Sequence, residues 1–349
     1  MRRWSAAGRH FLTIGGSILA IALLIACGSA GTLTPAPPTA DARAAALGAT
    51  ATNIALGNRP ATPGFFPANP PSVIANVAAQ PIMPPSPTRA DVPRQGTPDS
   101  LPGATGQLVS VGERRMWIAC QGQGSPTVIM DAGVNSGSQI WARVWPTAAA
   151  TTRVCVYDRA GLGYSDPIPR PRTSQEVVDD LHKLLQNANV PKPYVMVAHS
   201  FGGLNIRLYA SQYPQDVVGM VLVDAVHEDR FAATAKVLTP AQEAQFETGR
   251  QANPEGLDYY ESSRLVRAIG PALPNIPLIV IARGRAEDWP AGYPVAALEK
   301  VWRTLETDLA SRAPQGKLVI AEQSNHNIPG NQPELVIDAT RQVIAAVRK

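Results

Sequence analysis

The chain has 349 residues, of which 45% are hydrophobic and 17% are charged, and its formal net charge is +4. It is long enough to bury one large core, and its Lys and Arg residues are scattered rather than arranged in a stripe. A nucleic-acid-binding protein is therefore not expected, while a weak attraction to anionic lipid or cell wall is compatible with the charge.

The first 26 residues are typical of a secretory signal peptide. Three arginines within the first nine residues precede a charge-free apolar run over 11–25, which is shorter than the roughly 20 residues of a stable membrane span. The run closes on Leu24-Ile25-Ala26-Cys27, which resembles the bacterial lipobox. That resemblance implies cleavage before a diacylated Cys27, and thus an exported protein held by its lipid on the extracytoplasmic side of the cell membrane. The alternatives are an uncleaved anchor and an ordinary signal peptide, and either one also leaves the cytoplasm.

Residues 27–104 predict a lipidated cysteine followed by a disordered tether. Ala, Pro, Thr, Asn and Gly dominate this stretch, and the first hundred residues hold a disproportionate share of the 33 prolines. Such a segment cannot bury enough apolar surface to offset the entropy lost on ordering. We expect a semi-extended spacer that holds a domain away from the membrane.

Residues 105–349 form the predicted folded domain, in which short apolar strands alternate with helices. This alternation favours a mostly parallel sheet that is covered on both faces. A polar, helical segment at about 227–275 separates the sixth and seventh strands, and an amphipathic helix over 333–347 closes the chain. The remaining expected elements are a hairpin over 107–120, strands at 126–131, 153–157, 194–199, 217–226, 278–281 and 317–320, and helices near 139–150, 174–189 and 204–213.

A serine follows directly on the apolar run Tyr194-Val195-Met196-Val197-Ala198-His199. Ala198 stands two positions before Ser200, Gly202 stands two positions after it, and a helix-like segment follows at once. Small neighbours on both sides are what a strained strand-to-helix turn requires, and this nucleophile elbow lifts a serine hydroxyl clear of the strand end. The same turn leaves the amide of Phe201 pointing at whatever Ser200 attacks.

Several motifs in order resemble the α/β-hydrolase superfamily, in its serine-hydrolase branch, over roughly 107–349. Besides the elbow, Asp131-Ala132-Gly133 stands where family members carry His-Gly after the third strand. The segment 157–165 looks like the family's Asp-Arg-x-Gly-x-Gly-x-Ser loop, and 332–336 opens the last helix much as the family does. The resemblance implies a mostly parallel eight-stranded sheet flanked by helices, with a lid between strands 6 and 7.

His326 is the predicted general base. A serine hydroxyl needs a base within hydrogen-bond reach, and His326 lies in a polar loop between the last strand and the last helix, which is the family's position for that base. The alternative is an ordinary surface-loop histidine. The other histidines fall in the signal peptide, on a helix face, inside the elbow and at the mouth of the sixth strand, respectively His10, His182, His199 and His227.

The acid that orients His326 stays open among three residues. Asp224 ends the sixth strand, where some family members carry the acid, and it is the preferred candidate. Glu287 and Asp288 follow the seventh strand, where most members place an aspartate. The alternative roles are a structural carboxylate at the start of the insert for Asp224 and a solvated loop pair for Glu287 and Asp288.

The resemblance also implies two backbone donors for an oxyanion, the amides of Val134 and Phe201. In this fold Cys120 and Cys155 would lie on neighbouring strands, so a disulfide between them is a hypothesis that an oxidising compartment favours. Two buried free thiols are the alternative. The Asp158-Arg159 pair is expected to be an ion pair that locks its loop.

No cofactor and no metal are expected. The glycine clusters at 122–124 and 161–163 do not complete a dinucleotide or phosphate motif. His227-Glu228-Asp229 could imitate a metal site, but adjacent residues diverge on a helix or a strand and rarely bind one ion together.

The sequence thus predicts an exported, carboxylesterase-like serine hydrolase that cleaves a small-molecule ester through an acyl-enzyme. Serine at the elbow argues against the haloalkane dehalogenases and epoxide hydrolases of this fold, which use an aspartate nucleophile. The alternatives are an exported peptidase or amidase with the same triad and a non-catalytic surface-binding protein on a hydrolase scaffold. The expected partners are the ester and, through the lipid anchor, the membrane; nucleic acid is not expected.

Overall fold

The computed structural model describes residue 101 and residues 105–349, apart from 169–170, 252, 254 and 272. The predicted signal peptide, the Cys27 lipobox and the tether lie outside the described residues. Among the helices within the described range, none is both long enough and apolar enough to cross a bilayer.

One sheet of the described region contains eight strands in the order β1-β2-β4-β3-β5-β6-β7-β8. β2 is antiparallel to both of its neighbours, and every later pair is parallel. The predicted eight-stranded, mostly parallel sheet is therefore confirmed. The strands are β1 Gly106–Ser110, β2 Arg115–Gln121, β3 Thr127–Asp131, β4 Val154–Tyr157, β5 Tyr194–His199, β6 Val217–Val223, β7 Leu278–Arg283 and β8 Lys317–Ala321.

Helices connect these strands and cover both faces of the sheet. The expected single helix near 139–150 is instead a 3-10 helix over Ser138–Trp141 followed by a separate α1, since Pro146 has no N–H to continue a helix from the preceding turn. Helix α7, between β7 and β8, was not predicted. The helices are α1 Trp145–Ala149, α2 Ser174–Asn187, α3 Gly202–Gln212, α4 Arg230–Thr234, α5 Pro240–Gln251, α6 Tyr259–Ala268, α7 Val295–Ser311, α8 Ile328–Asn331 and α9 Pro333–Val347.

The central strands bury both of their faces. In β5, Met196 and Ala198 pack into the core on the side of α2 and α3, whereas Val195 and Val197 pack into the core on the side of α1 and α9. A strand covered on both faces has no polar alternation, which explains why β5 is an unbroken apolar run in the sequence. Because β3, β5, β6 and β7 are consecutive parallel strands in the sheet, their carboxyl ends lie together at one edge. This edge is the usual place for a site in such folds.

Strand β6 ends three residues before the predicted boundary at Val226. Asp224 has a φ of 45°, a left-handed backbone conformation that cannot continue a strand. The chain turns there into the insert between β6 and β7, which consists of α4, α5, α6 and their connections.

The insert packs against the elbow side of the domain. Helix α6 contacts α2 and α3, and the ring of Tyr259 at its start meets the ring of Phe201 edge-on, with centroids 4.8 Å apart. Phe231 of α4 lies against the same tyrosine, with ring centroids 6.1 Å apart. An aromatic side chain of the insert, Tyr259, therefore reaches the residue that directly follows Ser200.

Cys120 and Cys155 form a disulfide. The two residues are register partners on the antiparallel strands β2 and β4, so the pairing that the sequence left open is present. By the chain-entropy argument, closing a loop between residues 35 positions apart contributes about 2–4 kcal/mol to the free energy of unfolding. The bond ties the antiparallel edge of the sheet to its parallel centre.

Candidate active site

Ser200 occupies a strand-to-helix turn at the end of β5. Its φ is 53°, and its backbone oxygen accepts hydrogen bonds from the amides of Gly203 (3.0 Å) and Val226 (2.9 Å). A Cβ at Gly202 would stand 2.8 Å from the carbonyl oxygens of both Asp131 and Ala132, so only glycine fits that position. The local geometry is that of the predicted elbow.

His326 and Asp224 meet across the carboxyl edge of the sheet. His326 Nδ1 lies 2.6 Å from Asp224 Oδ2. Because Asp224 is fully buried and ionised, the ring donates from Nδ1, which leaves Nε2 as the acceptor of the neutral ring. The His326 side chain is 29% exposed, whereas the Asp224 side chain is fully buried. The chemistry available is that of a base held in one tautomer.

Asp224 is fixed by four donors. Besides His326, its carboxylate accepts from the backbone amide of Arg283 (2.9 Å), from Arg283 Nη1 (2.9 Å) and from Trp302 Nε1 (2.7 Å). Burial raises the pKa of Asp224, but the hydrogen bond and charge of His326 and the charge of Arg283 outweigh it and hold the pKa below its ordinary value. The group is a fixed carboxylate at neutral pH.

The two alternative acids, Glu287 and Asp288, lie near His326, but within the described residues neither hydrogen-bonds its ring. Glu287 Oε1 is 3.0 Å from Arg283 Nη1, and oxygen atoms of Glu287 and Asp224 lie within 4.8 Å of a ring nitrogen of His326. Asp288 is exposed and borders the same cavity. Of the three candidates, Asp224 is the one that hydrogen-bonds His326 within the described part of the chain.

Ser200 Oγ and His326 Nε2 do not form a hydrogen bond in the described region. The bond between nucleophile and base is often long before a substrate binds and tightens only in the complex. The two residues are linked through His199, which precedes the serine: His199 Nε2 donates to the backbone oxygen of His326 at 2.8 Å, and the two rings are 4.5 Å apart.

The two candidate oxyanion donors flank Ser200. Within the described residues, neither the Phe201 amide nor the Val134 amide donates to a protein acceptor. Phe201 follows Ser200 in the chain, and a Cβ at Gly133 would stand 3.2 Å from Ser200 Cβ, so the turn that carries Val134 passes directly against the serine. Two uncommitted N–H groups beside a serine are what an oxyanion requires.

The expected ion pair between Asp158 and Arg159 is wrong. Asp158 accepts from the backbone amides of Ser138 (2.7 Å) and Tyr164 (3.1 Å), so it does lock a loop, but without its neighbour. Arg159 points to the other side and pairs with Asp131 and Glu255. Consecutive side chains leaving a strand diverge, and each found its partners in other segments.

The His227-Glu228-Asp229 segment also differs from expectation, because ligand atoms of all three residues lie within 4.8 Å of one another. Their acids are matched by arginines, however. Glu228 pairs with Arg207 and Arg312, and Asp229 with Arg267. The absence of a bound metal stays a prediction; positive side chains already balance these carboxylates.

A cavity of about 570 Å³ opens beside His326. Most of the residues that line it are polar: they include Glu287, Asp288, His199, His326 and several amide side chains, with Ile140 as the aliphatic member. The space can hold a substrate group next to the ring that would deliver a proton to it.

Two residues of this site were missed at the sequence level. Arg283 had a signal, since an arginine that ends an otherwise apolar strand needs a buried partner. Trp302 had none that could be recognised, because its helix α7 was not predicted and its bond to Asp224 joins residues 78 positions apart.

Comparison with known proteins supports the α/β-hydrolase fold. A sequence model of the alpha/beta hydrolase fold matches residues 126–265. The uncharacterised protein YqjL of Bacillus subtilis (strain 168) is 29% identical over 219 residues, which is 62% of this chain and 82% of that protein. An AB hydrolase superfamily protein of Gibberella zeae is 33% identical over 107 residues, 30% of this chain and 33% of that protein.

A solved structure shares the architecture. The alpha/beta hydrolase domain-containing protein 10 from mouse superposes with a TM-score of 0.54 at 16% identity, over 69% of this chain and 99% of that chain. An identity this low is evidence of a shared fold alone. The sheet order and the strand-end site define an α/β-hydrolase fold. The chain has this fold, and its similarity to the alpha/beta hydrolase family model over residues 126–265 points to hydrolase activity.

We expect His199 to make folding stability pH-dependent. Burial, followed by the neighbouring His326 charge, lowers the pKa of His199 from 6.5 to about 3. Between these values the unfolded chain binds a proton that the folded chain does not, so the free energy of unfolding falls with decreasing pH by up to about 1.4 kcal/mol per unit. Above about pH 6.5 neither state binds this proton and the contribution is constant.

Urea unfolding between about pH 7 and pH 4.5 measures this contribution. His199→Gln removes this titrating group, and the other groups titrate equally in both proteins. The free energy of unfolding of the variant should therefore fall less steeply with decreasing pH than that of the wild type. Parallel stability curves for the two proteins would show that His199 does not titrate as described.

Proposed function

We propose that the protein is a serine hydrolase that cleaves carboxylic esters of small molecules through a covalent acyl-enzyme, with Ser200, His326 and Asp224 as its triad. The observation that carries the proposal is the 2.6 Å hydrogen bond between His326 Nδ1 and Asp224 Oδ2 at the strand edge that also bears the Ser200 elbow. Base and orienting acid are paired there in the arrangement that activates a serine on unrelated folds.

In the first half-reaction Ser200 Oγ attacks the ester carbonyl carbon while His326 Nε2 takes the hydroxyl proton. The resulting oxyanion accepts hydrogen bonds from the Val134 and Phe201 amides. The bond from carbon to the alcohol oxygen then breaks, and His326 gives its proton to that oxygen. The alcohol leaves through the polar cavity beside His326.

In the second half-reaction water attacks the acyl group on Ser200. His326 takes a proton from the water, and the bond between the acyl carbon and Ser200 Oγ breaks as His326 returns that proton to the serine. A carboxylic acid is released and the enzyme is restored. The ionised Asp224 stabilises the positive charge of His326 in both halves and keeps its Nε2 available.

A peptidase or amidase would use the same residues. It would differ from an esterase in recognising an amine rather than an alcohol as the leaving group. A serine nucleophile distinguishes both from the aspartate-dependent enzymes of this fold. A chromogenic ester series of increasing acyl length, run beside aminoacyl anilides, separates them, and we expect turnover of the esters to exceed that of the anilides.

We expect a fluorophosphonate probe to label the wild-type protein at Ser200. The probe reacts with a serine only where a base activates it, so Ser200→Ala should not be labelled although its circular dichroism is unchanged. Labelled peptide mass spectrometry identifies the residue. Failure of correctly folded wild type to react would favour the non-catalytic binding protein instead.

Asp224→Asn should lower kcat by about 10³- to 10⁴-fold, because an amide at this position no longer holds the required tautomer of His326. Glu287→Gln and Asp288→Asn are the matched controls, since each makes the same carboxylate-to-amide change at a residue that lines the cavity beside His326. We expect each of them to retain kcat within about tenfold. A larger loss in Glu287→Gln than in Asp224→Asn would assign the acid to Glu287.

The sequence of the first 27 residues supports export and lipid attachment at Cys27, which we include in the proposal. The full chain expressed in a bacterium should then sediment with membranes and incorporate labelled palmitate. Cys27→Ala should lose the label, whereas the double variant Cys120→Ala/Cys155→Ala should keep it, because those cysteines are joined in the folded domain. An unlabelled, soluble wild-type protein would contradict lipid anchoring.

A further inference from the structure

Glu255 belongs to the insert, in the connection from α5 to α6, yet its side chain is fully buried against the loop that follows β3. Its Oε2 accepts the backbone amide of Asn135 at 3.0 Å, and its own amide donates to Asn135 Oδ1 at 3.2 Å. The two residues are 120 positions apart in the chain. This reciprocal pair fastens the insert to the residue directly after Val134.

The same carboxylate holds Arg159. Glu255 Oε1 lies 2.5 Å from Arg159 Nε and its Oε2 lies 2.9 Å from Arg159 Nη2, a two-pronged contact on a guanidinium that is itself buried. Asp131 pairs with the remaining side of the group, at 2.6 Å from Nη1. Planar pairing of this kind fixes the orientation of the guanidinium as well as its position.

Arg159 in turn fixes the backbone before Val134. Its Nη1 donates to the carbonyl of Ala132 at 2.7 Å and its Nη2 to the carbonyl of Gly133 at 2.6 Å. The bond from Gly133 to Val134 is a trans peptide, in which the C=O and the following N–H point in opposite directions. With the Gly133 oxygen held on the arginine, the Val134 N–H is directed away from Arg159.

We propose that Glu255 is a positioning residue of the oxyanion hole: from the insert it sets the direction of the Val134 N–H through Arg159 on one side and Asn135 on the other. This inference rests on the proposed function for the role of Val134. Displacement of the insert removes the Glu255 contacts to Arg159 and to Asn135 together and leaves Asp131 as the carboxylate partner of Arg159, so the donor is fully aligned only while the insert is in place.

The charges around Glu255 suit this role. Arg172 Nη2 lies 3.3 Å from its Oε1 and adds a second positive group. Burial raises the pKa of the Glu255 carboxyl, but the charges of Arg159 and Arg172 outweigh it and hold the pKa below its ordinary value. The carboxylate therefore stays ionised at neutral pH and accepts hydrogen bonds at both of its oxygens.

The central variant is Glu255→Gln, which keeps the size of the side chain. Its amide NH₂ replaces one of the two accepting oxygens and faces an N–H donor, either of Arg159 or of the Asn135 backbone. The matched control is Glu261→Gln, the same change within the insert at a carboxylate whose pair with Arg264 is on the surface. A milder second variant, Asn135→Gly, removes the side chain whose Oδ1 accepts the Glu255 amide but keeps the Asn135 backbone N–H that donates to Glu255. Glycine tolerates the φ of 56° at that position.

The first measurement is esterase kinetics together with binding of a trifluoromethyl ketone, which forms an oxyanion adduct with the serine. An interaction made only in the transition state lowers kcat and kcat/KM equally. We expect Glu255→Gln to lose about 10- to 100-fold in kcat and in ketone affinity, with KM changed by less than about threefold, because a misaimed donor costs somewhat less than a deleted one. Asn135→Gly should lose about 3- to 10-fold.

The second measurement is amide hydrogen exchange of the 132–136 segment, which is independent of activity. Exchange should accelerate in Glu255→Gln and in Asn135→Gly relative to Glu261→Gln. Unchanged exchange in this segment, or a kcat and ketone affinity within about threefold of the control, would overturn the positioning role.

The two hypotheses fail in different ways. If the wild type neither turns over esters nor reacts with the fluorophosphonate probe, while exchange responds as expected, the proposed function is wrong and the link from the insert to the loop stands. If Glu255→Gln does not fold, Asn135→Gly gives the decision by the same two measurements.

Discussion

Two neighbouring parallel strands end in the same way, and the rest of the site depends on it. Ser200 and Asp224 both adopt left-handed backbone conformations, which side-chain-bearing residues enter only at a cost of about 1–3 kcal/mol. The sheet compensates for the strain: the Ser200 amide donates to Val223 on β6, and the Asp224 amide donates to Ile281 on β7. Each turn is therefore braced by the next strand, and the two side chains are delivered to one edge without mobile connections.

The fold was predictable because it depends on local patterns. Unbroken apolar strands and a small-serine-small turn are properties of short windows, and they placed Ser200, the sheet and the last helix correctly. The errors at the level of elements also have local causes. Asp224 ends β6 early through its backbone angle, and Pro146 divides the helix expected near 139–150. The helix that carries Trp302 was not predicted at all.

The partners of charged side chains were not predictable from the same patterns. Arg159 was expected to pair with its neighbour Asp158, but its partners Asp131 and Glu255 lie 28 and 96 positions away. Asp224 was the preferred acid, and three of its four hydrogen bonds come from Arg283 and Trp302, which nothing local connects to it. Buried charges must find opposite charges wherever the tertiary fold places them, so only the folded chain reveals which pairs form.

The buried position of Glu255 bears on how such an enzyme could acquire new substrates. Inserts between β6 and β7 are natural sites for exchange, since they cover the site without contributing to the sheet. In this chain Glu255 of the insert also forms an ion pair with Arg159. This arginine is buried, and Asp131 of β3 is its carboxylate partner from the sheet. A graft from a relative would therefore need an acidic side chain at this point of the loop. Without it, the recipient domain would carry an unbalanced internal charge before any question of substrate fit arose.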